Sequence, residues 1–539
     1  MNLFNHYCLL TRILNFLKCI RNIFNTINEF VVFICHFCTI FSNFLVTPQP
    51  ESSNNVDAAP SLRDLEVFIE YAKFWAHHLG LIIHQKDKLT KKDAAVIKSF
   101  SLFPSPFPRK LFEQAIKVQK AMNLLYFRVS QDHAFLIETL EPLAETSFHI
   151  RVWLELLREI QSEGIHQPIS LILMRSDYMS HIKNNEHEIK KMDYELKQVE
   201  INIGPYGGAA HGGHMTKFHR KMMEKAGRRV KSDSMPDNEG AEQLAEGLYE
   251  AWKLFKNPNA IVLIVADTMN RTYEMSQIDQ ILIQLAKNDN YKLKIVNLAL
   301  HECDKRLTLD EAGDFSLHLG DQIVGVVHFK TFCFHPNKAQ KNSRRKIERS
   351  TAIKCPDVGS DLSNMKKVQQ AIAMPGTLER FFPDPNEAEM IVELRASFAG
   401  MWGLGNEDED TKNIINDAIE NPGNYVLKPS KEGGGNNTWG DEIAEKLKAF
   451  TKKQLEAHIL MQRLKPIVGK NYLVYAHRDV VYTDTTSELS TFGYLLGDVP
   501  NMKVLHNVSK GHMMRTKPES VNEGGVEAGG GVHDSPYLI

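Results

Sequence analysis

Residues 425–437 constrain this chain more than any other stretch. Tyr425-Val426-Leu427 is a short apolar strand pattern that runs straight into Lys428, Pro429, Ser430, Lys431, Glu432, Gly433, Gly434, Gly435, Asn436 and Asn437. Glycine has no Cβ, so three in succession let backbone N–H groups close around an anion, and consecutive amides form a concave nest. Lys428 and Lys431 bring point charges to phosphate oxygens, and Glu432 can hold Mg²⁺ between them. The pattern is not a P-loop, because no Gly-Lys-Ser/Thr follows the glycines. A bare glycine triplet is also compatible with a flexible turn carrying solvated charges. The strand before it and the helix-like segment 441–450 after it favour the phosphate reading.

A chain of 539 residues is too long for one ordinary core and implies two or three lobes. With 43% apolar and 24% charged residues it reads as globular. A formal charge of −2 gives no global basic field, so no nucleic-acid partner is expected, and the basic run 341–346 reads as a solvated loop. Four of the seven cysteines (Cys8, Cys19, Cys35, Cys38) lie in the first 40 residues; Cys303, Cys333 and Cys355 are widely spaced. That is neither a disulfide framework nor a zinc pattern, and the body suits a reducing compartment. Residues 1–47 stand apart, with an apolar run at 30–46 behind Arg12, Lys18 and Arg21. Three readings stay open: an atypical signal or anchor, an amphipathic leader, or a misassigned start codon. Membrane attachment is expected only if this leader is an uncleaved anchor. Residues 48–60 read as a linker.

From Ser61 the pattern turns helical, with Leu62, Leu65, Phe68, Ile69 and Ala72 on one stripe. Further helices are expected at 109–126, between 133 and 163, and at 239–255. The apolar run 169–173 is a buried strand ending near Arg175, whose guanidinium can fork a carboxylate or pair with Asp177. Residues 194–203 form a second strand, and period-two alternation puts Glu200 and Asn202 on one face. Those oxygens suit Mg²⁺, or simply a polar strand face. His211 and His214, at i and i+3, read as exposed loop histidines or as metal ligands. Strands are also expected at 260–266, 322–329, 458–464 and 486–496, and Arg515 and Lys517 share a strand face.

Lys428–Asn437 resembles the nucleotide loop of the eukaryotic glutathione synthetases, which are ATP-grasp ligases. The resemblance extends over roughly residues 62–539 through Met174–Met179, Glu200-Ile201-Asn202, Ala352–Asp357, Lys366–Gln370, Ser487-Glu488-Leu489 and Arg515-Thr516-Lys517. It implies an α+β architecture of the ATP-grasp type, with mixed and antiparallel sheets flanked by helices. The implied cofactors are ATP and Mg²⁺. Glu200, Asn202 and Glu432 become the implied metal ligands, and Arg175 and Arg515 the implied catalytic residues. The implied ATP site comprises Lys366, Lys428, Lys431, Glu432, Gly433, Gly434, Gly435, Asn436, Asn437, Trp439, Met461, Gln462, Arg463, Leu464, Glu488, Lys517 and Glu523. A substrate site would use Arg175, Asn270, Thr272, Ser276, Lys330, Arg515, Val526 and Glu527.

This chain departs from the family around that substrate site. The loop after Asn202 lacks the family's two serines; Lys330 and Cys333 stand where an arginine and a tyrosine are usual; Glu527 replaces a small residue in the glycine-rich lid 524–531. Lysine in place of arginine loses the planar fork that grips a carboxylate. Two functions of different class follow. One is an ATP- and Mg-dependent ligase joining γ-glutamylcysteine to glycine through an acyl phosphate, in a homodimer. The other is a divergent relative with a different substrate or a binding role. The family's location is cytoplasmic; secretion follows if 1–47 act as a signal. The expected organisation is a leader and linker (1–60), N-terminal helices with the first part of the core (61–260), a substrate lobe (261–365), and a nucleotide-binding part with the lid (366–539).

Overall fold

The computed structural model describes residues 62–84, 95–183, 193–231, 233–266, 273–331, 333–430, 436–526 and 529–539. The chain divides into two compact units, Met1–Leu65 and Glu66–Ile539, and every strand named below belongs to the second. The fold is α+β, with mixed sheets flanked by helices. Among the described residues, no helix is long and apolar enough to cross a membrane.

The largest sheet is assembled from both ends of the chain. Its strands are β1 (Phe100–Ser101), β2 (Ile169–Ile182), β3 (Tyr194–Ile203), β4 (Val468–Val474), β5 (Val481–Asp498), β6 (Lys503–Pro518) and β7 (Val532–Asp534). Their order is β4-β1-β7-β6-β5-β2-β3, and β4 also pairs with β5, which closes a ring of pairings. The long neighbours β3, β2, β5 and β6 are antiparallel. Side chains alternate across a sheet, so register decides which residues meet. Arg175 lies opposite Asn202, and Asp177 opposite Glu200; Asp177 pairs with Ser490, Glu488 with Arg515 and Thr486 with Lys517, and Arg515 with His533. These pairings place Asn202, Glu200, Arg175, Asp177, Glu488, Arg515, Lys517 and His533 on one face.

The opposite face is apolar. Ile172, Met174, Tyr178, Ile201, Leu489 and Met514 pack in one core with Met122, Leu125, Tyr126 and Phe127 of helix α1 (Arg109–Gln131). Farther along the polar face the residues turn apolar again. There Leu171, Leu173, Phe492, Tyr494 and Met513 bury against helix α2 (Ala209–Lys225) and the helix Gly240–Leu254. Each such side chain contributes about 1.5–3 kcal/mol on full burial, so the polar patch sits in a sheet anchored on both sides.

Two further sheets flank this one. The strands Ile261–Val265, Ile295–Leu298, Gln322–Phe329 and Ile353–Cys355 pair in parallel. The strands Met401–Gly403, His458–Gln462, Tyr425–Pro429 and Thr438–Trp439 form an antiparallel sheet. Some elements outrun their sequence patterns. The run 169–173 is the start of a strand that continues to Ile182, because Arg175 bonds Asp177, and Asp177 accepts from Asn202 of β3, inside the protein. His211 is not in an exposed loop; it lies in the first turn of α2 and is buried.

Candidate functional site

At the centre of the polar face stands Asp177, which has no exposed surface. Arg175 forks it, with Nε donating to Oδ1 at 2.8 Å and Nη2 to Oδ2 at 2.7 Å. Arg515 Nη2 donates to the same Oδ2 at 3.0 Å and also to Glu488. Asn202 Nδ2 donates to Asp177 at 3.2 Å and to Glu200 at 3.4 Å. Glu200 lies 3.7 Å from Arg175 and 3.8 Å from Lys366. Lys366 opens helix α3 (Lys366–Ala373), with Met365 in the capping position.

Protonation follows from this crowding. Burial opposes the charge on Glu200, but Lys366, Arg515, Arg175 and Lys428 together hold its carboxyl well below the ordinary range. Glu488 moves the other way, raised by burial and by Asp177 and Glu200 despite Arg515. Arg515 loses stability of its charge to burial but regains more from Glu488, Asp177 and Glu200, so it stays charged. Burial and the like charge of Lys366 bring Lys428 down to about 8.

Lys428 is buried on the strand Tyr425–Pro429 that precedes the glycines. Lys431, Glu432, Gly433, Gly434 and Gly435 lie outside the described residues, as do Asn270, Thr272 and Glu527. Asn437 N–H donates to Glu523 at 3.2 Å, and Glu523 favours the charge on Lys428, so Asn437, Glu523 and Lys428 are neighbours. Asn436 precedes Asn437 in the same loop. Lys517 sits on the face with Arg515 but donates to the Val521 carbonyl, and burial lowers its pKa. Trp439 pairs across from Val426, and the Arg463 guanidinium lies 5.8 Å from its ring centre. Met461 is buried with Ala399 and Met401, and Leu464 packs beside them. The backbone N–H groups of Gln462 and Arg463 donate to Gly400 and Asn424 carbonyls, both at 2.8 Å. Those two backbone donors are therefore engaged within the protein.

The residues present fit a polyphosphate. Trp439 Nε1, Ser430 Oγ, Thr486 Oγ1 and Arg515 Nε are buried without a hydrogen-bond partner, and a buried donor left unmade costs about 1–3 kcal/mol. Ser430, Thr486 and Arg515 lie on the strands that carry Lys428, Glu488 and Arg515 or at their ends, and Trp439 lies on the neighbouring strand Thr438–Trp439. The donor set for a metal is smaller: among the described residues no three His, Cys, Asp or Glu side chains group as ligands. Glu200 and Asn202 would need an oxygen from outside that set.

Of the residues that the resemblance implies for a substrate, Lys330 follows the strand Gln322–Phe329 and donates to the Tyr206 carbonyl. Val526 accepts from Gly529 N–H at 3.0 Å within the glycine-rich turn. Ser276 does not join the cluster: it is exposed on the helix Tyr273–Asn288, its hydroxyl bonded to the Tyr273 carbonyl at 2.7 Å. Glu274, two residues earlier on that helix, turns inward instead. Its Oε1 accepts from Gly208 N–H at 2.8 Å and Ala210 N–H at 3.0 Å, capping the start of α2. Sequence reasoning passed over Glu274 and His533, and treated Asp177 only as a salt-bridge partner. Asp177 carried a usable signal, since it shares the period-two face of Arg175. Glu274 carried none, being placed by tertiary packing alone.

Comparison with known proteins adds independent findings. The family described as "Eukaryotic glutathione synthase, ATP binding domain" matches residues 63–538. The chain is 33% identical over 482 residues to the chloroplastic glutathione synthetase of Arabidopsis thaliana, covering 87% of this chain and 84% of that protein. It is 32% identical over 467 residues to the glutathione synthetase of Homo sapiens, covering 85% and 94%. Among solved structures, a glutathione synthetase-like effector from Globodera pallida in its apo form superposes with a TM-score of 0.72 at 30% identity, covering 91% of this chain and all of that one.

Proposed function

The chain belongs to the eukaryotic glutathione synthetase family, and on that premise we propose that it is an ATP- and Mg²⁺-dependent carboxylate–amine ligase with an ATP-grasp nucleotide site. The substrate pair we propose first is γ-glutamylcysteine and glycine. The observation that carries this reading is the convergence of Glu200, Asn202, Arg175, Arg515, Lys366 and Lys428 around one buried sheet face.

ATP bound with Mg²⁺ would supply the phosphoryl group that turns the carboxylate into an acyl phosphate open to attack by the amine. Glu200, kept ionised by four cations, and Asn202 would offer oxygens to the metal, with Glu432 as the third. Lys428 and Lys366 would neutralise phosphate charge. Arg175 and Arg515 are held rigidly by Asp177, so they are pre-aimed at negative charge building on the reacting carbonyl. Such preorganised donors are each worth about 3–4 kcal/mol in comparable sites. Phosphoryl transfer asks a protein mostly for positioning and charge neutralisation. The buried thiol of Cys355, pushed far above its ordinary pKa by desolvation, has no part in this. The lid at 524–531 would exclude water.

A second reading is a binding role without ligation, in a chain that also resembles a glutathione synthetase-like effector from Globodera pallida. Lys330 and the loss of the serines after Asn202 favour it, because they alter the pocket rather than the nucleotide side. One assay separates the two: phosphate release with ATP, Mg²⁺, γ-glutamylcysteine and glycine, then with each omitted. The ligase reading expects release that needs a carboxylate donor. Absence of release with every donor would favour binding alone.

A further inference from the structure

Beside Arg515 lies a pair of buried histidines that the proposed reaction does not use. His211, in the first turn of α2, is 1% exposed, and His533, on β7 directly across from Arg515, is 4% exposed. Their rings lie 5.2 Å apart between centres. All four ring nitrogens are buried without a hydrogen-bond partner. The nearest acid to His211 is Glu274, with 3.6 Å between Nδ1 and Oε2, too long for a hydrogen bond; its other oxygen, Oε1, accepts from two backbone N–H groups.

Their surroundings are cationic. Desolvation, and then Lys98, His214 and Lys330, hold His211 well below its ordinary pKa. Desolvation, Lys98, His211 and Arg515 do the same to His533, with Glu274 alone opposing. Both imidazoles are therefore neutral, each with one N–H to donate. Unmade hydrogen bonds in a buried, positively charged place are costly on both counts. A substrate carboxylate would accept from the two imidazoles.

We infer that His211 and His533 form a specificity subsite for a second carboxylate, one carried by a substrate next to its reacting group. The inference rests on the ligase reading above, because Arg175 and Arg515 mark where the reacting carboxylate sits. Either partner can bring the extra acid: the side chain of the acyl donor's terminal residue, or the side chain of the amine. This chain would then join more acidic molecules than γ-glutamylcysteine and glycine.

Calorimetric titration of the full chain with Mg²⁺ and the non-hydrolysable analogue AMP-PNP tests the inference without turnover. The donor arm compares γ-glutamylaspartate with its neutral isostere γ-glutamylasparagine. The acceptor arm compares aspartate with asparagine in the presence of γ-glutamylcysteine. The subsite predicts at least tenfold tighter binding of the acid in one arm. His211→Leu and His533→Leu should each cut that preference to twofold or less while AMP-PNP binds as in the wild type. His211→Gln and His533→Asn, which keep a donor, should restore part of it, and they serve as the readout if a leucine variant fails to fold. No preference in either arm, or a preference untouched by all four substitutions, would overturn the inference. Phosphate release measured in parallel separates the two ideas. Tight, histidine-dependent acid binding without release leaves the subsite standing and sinks the ligase; release without acid preference does the reverse.

Discussion

Arg515 and Lys428 carry the sharpest expectations for single residues. Arg515 bridges Asp177 and Glu488 through one guanidinium nitrogen and leaves Nε without a partner. Arg515→Lys keeps the charge but loses the fork. Steady-state kinetics should show kcat lowered about 100- to 1000-fold, the scale of one lost transition-state donor, with the KM for ATP little changed. Lys428 gives a pH signature. Its folded pKa of about 8 lies below the value of about 10.4 for an unfolded lysine, so between those values the unfolded chain binds more protons. Stability of the unliganded protein should therefore rise from pH 8 towards 10 as this buried charge is relieved. Phosphate binding runs in the opposite sense, because it needs the charged amine. Affinity for AMP-PNP should fall about tenfold from pH 7 to 9, one pKa unit being about 1.4 kcal/mol. Lys428→Arg, which stays charged, should flatten that slope.

At the scale of elements, the site depends on where β3 stops. Gly204 follows β3 with φ of 88°, and its N–H bonds the Leu173 carbonyl at 2.9 Å. A Cβ there would meet Pro356 Cδ at 2.2 Å. Gly204→Ala should therefore shift the strand that presents Glu200 and Asn202. A loss of at least about 1–3 kcal/mol from backbone strain should appear in thermal melting, together with weaker Mg²⁺-dependent nucleotide binding.

The legibility of these elements in the sequence varied for physical reasons. Strand β3 and the strand Gln322–Phe329 fall where their alternation and apolar runs put them. Strand β2 runs nine residues past its apolar stretch, since Arg175 and Asp177 satisfy each other inside a sheet. A polar residue inside a buried strand looks like a strand end when only hydropathy is read. Reading His211 as a loop residue missed a helix: a turn does lead in, with Gly208 at φ of 99° capping α2. What sequence could not supply was the helix beyond it, or Glu274 arriving from 64 residues away to accept from Ala210.

Over the whole molecule, the large sheet draws β2 and β3 from one part of the chain and β5, β6 and β7 from its end. No truncation between them should leave a competent site, whereas the segment before the family match at residue 63 contributes no described strand. A chain beginning at residue 61 should keep its nucleotide affinity within about twofold of full length, a difference of about 0.4 kcal/mol on the usual affinity scale. The homodimer that the family resemblance implies is tested by light scattering, with a mass near that of one chain counting against it. Every proposed step needs the metal-dependent nucleotide site. The most direct measurement is calorimetric binding of AMP-PNP with and without Mg²⁺, to the wild type and to Glu200→Gln. The predicted result is binding that needs Mg²⁺ in the wild type and is weakened at least tenfold in the variant. Binding of equal strength without Mg²⁺, or unchanged in Glu200→Gln, would contradict it.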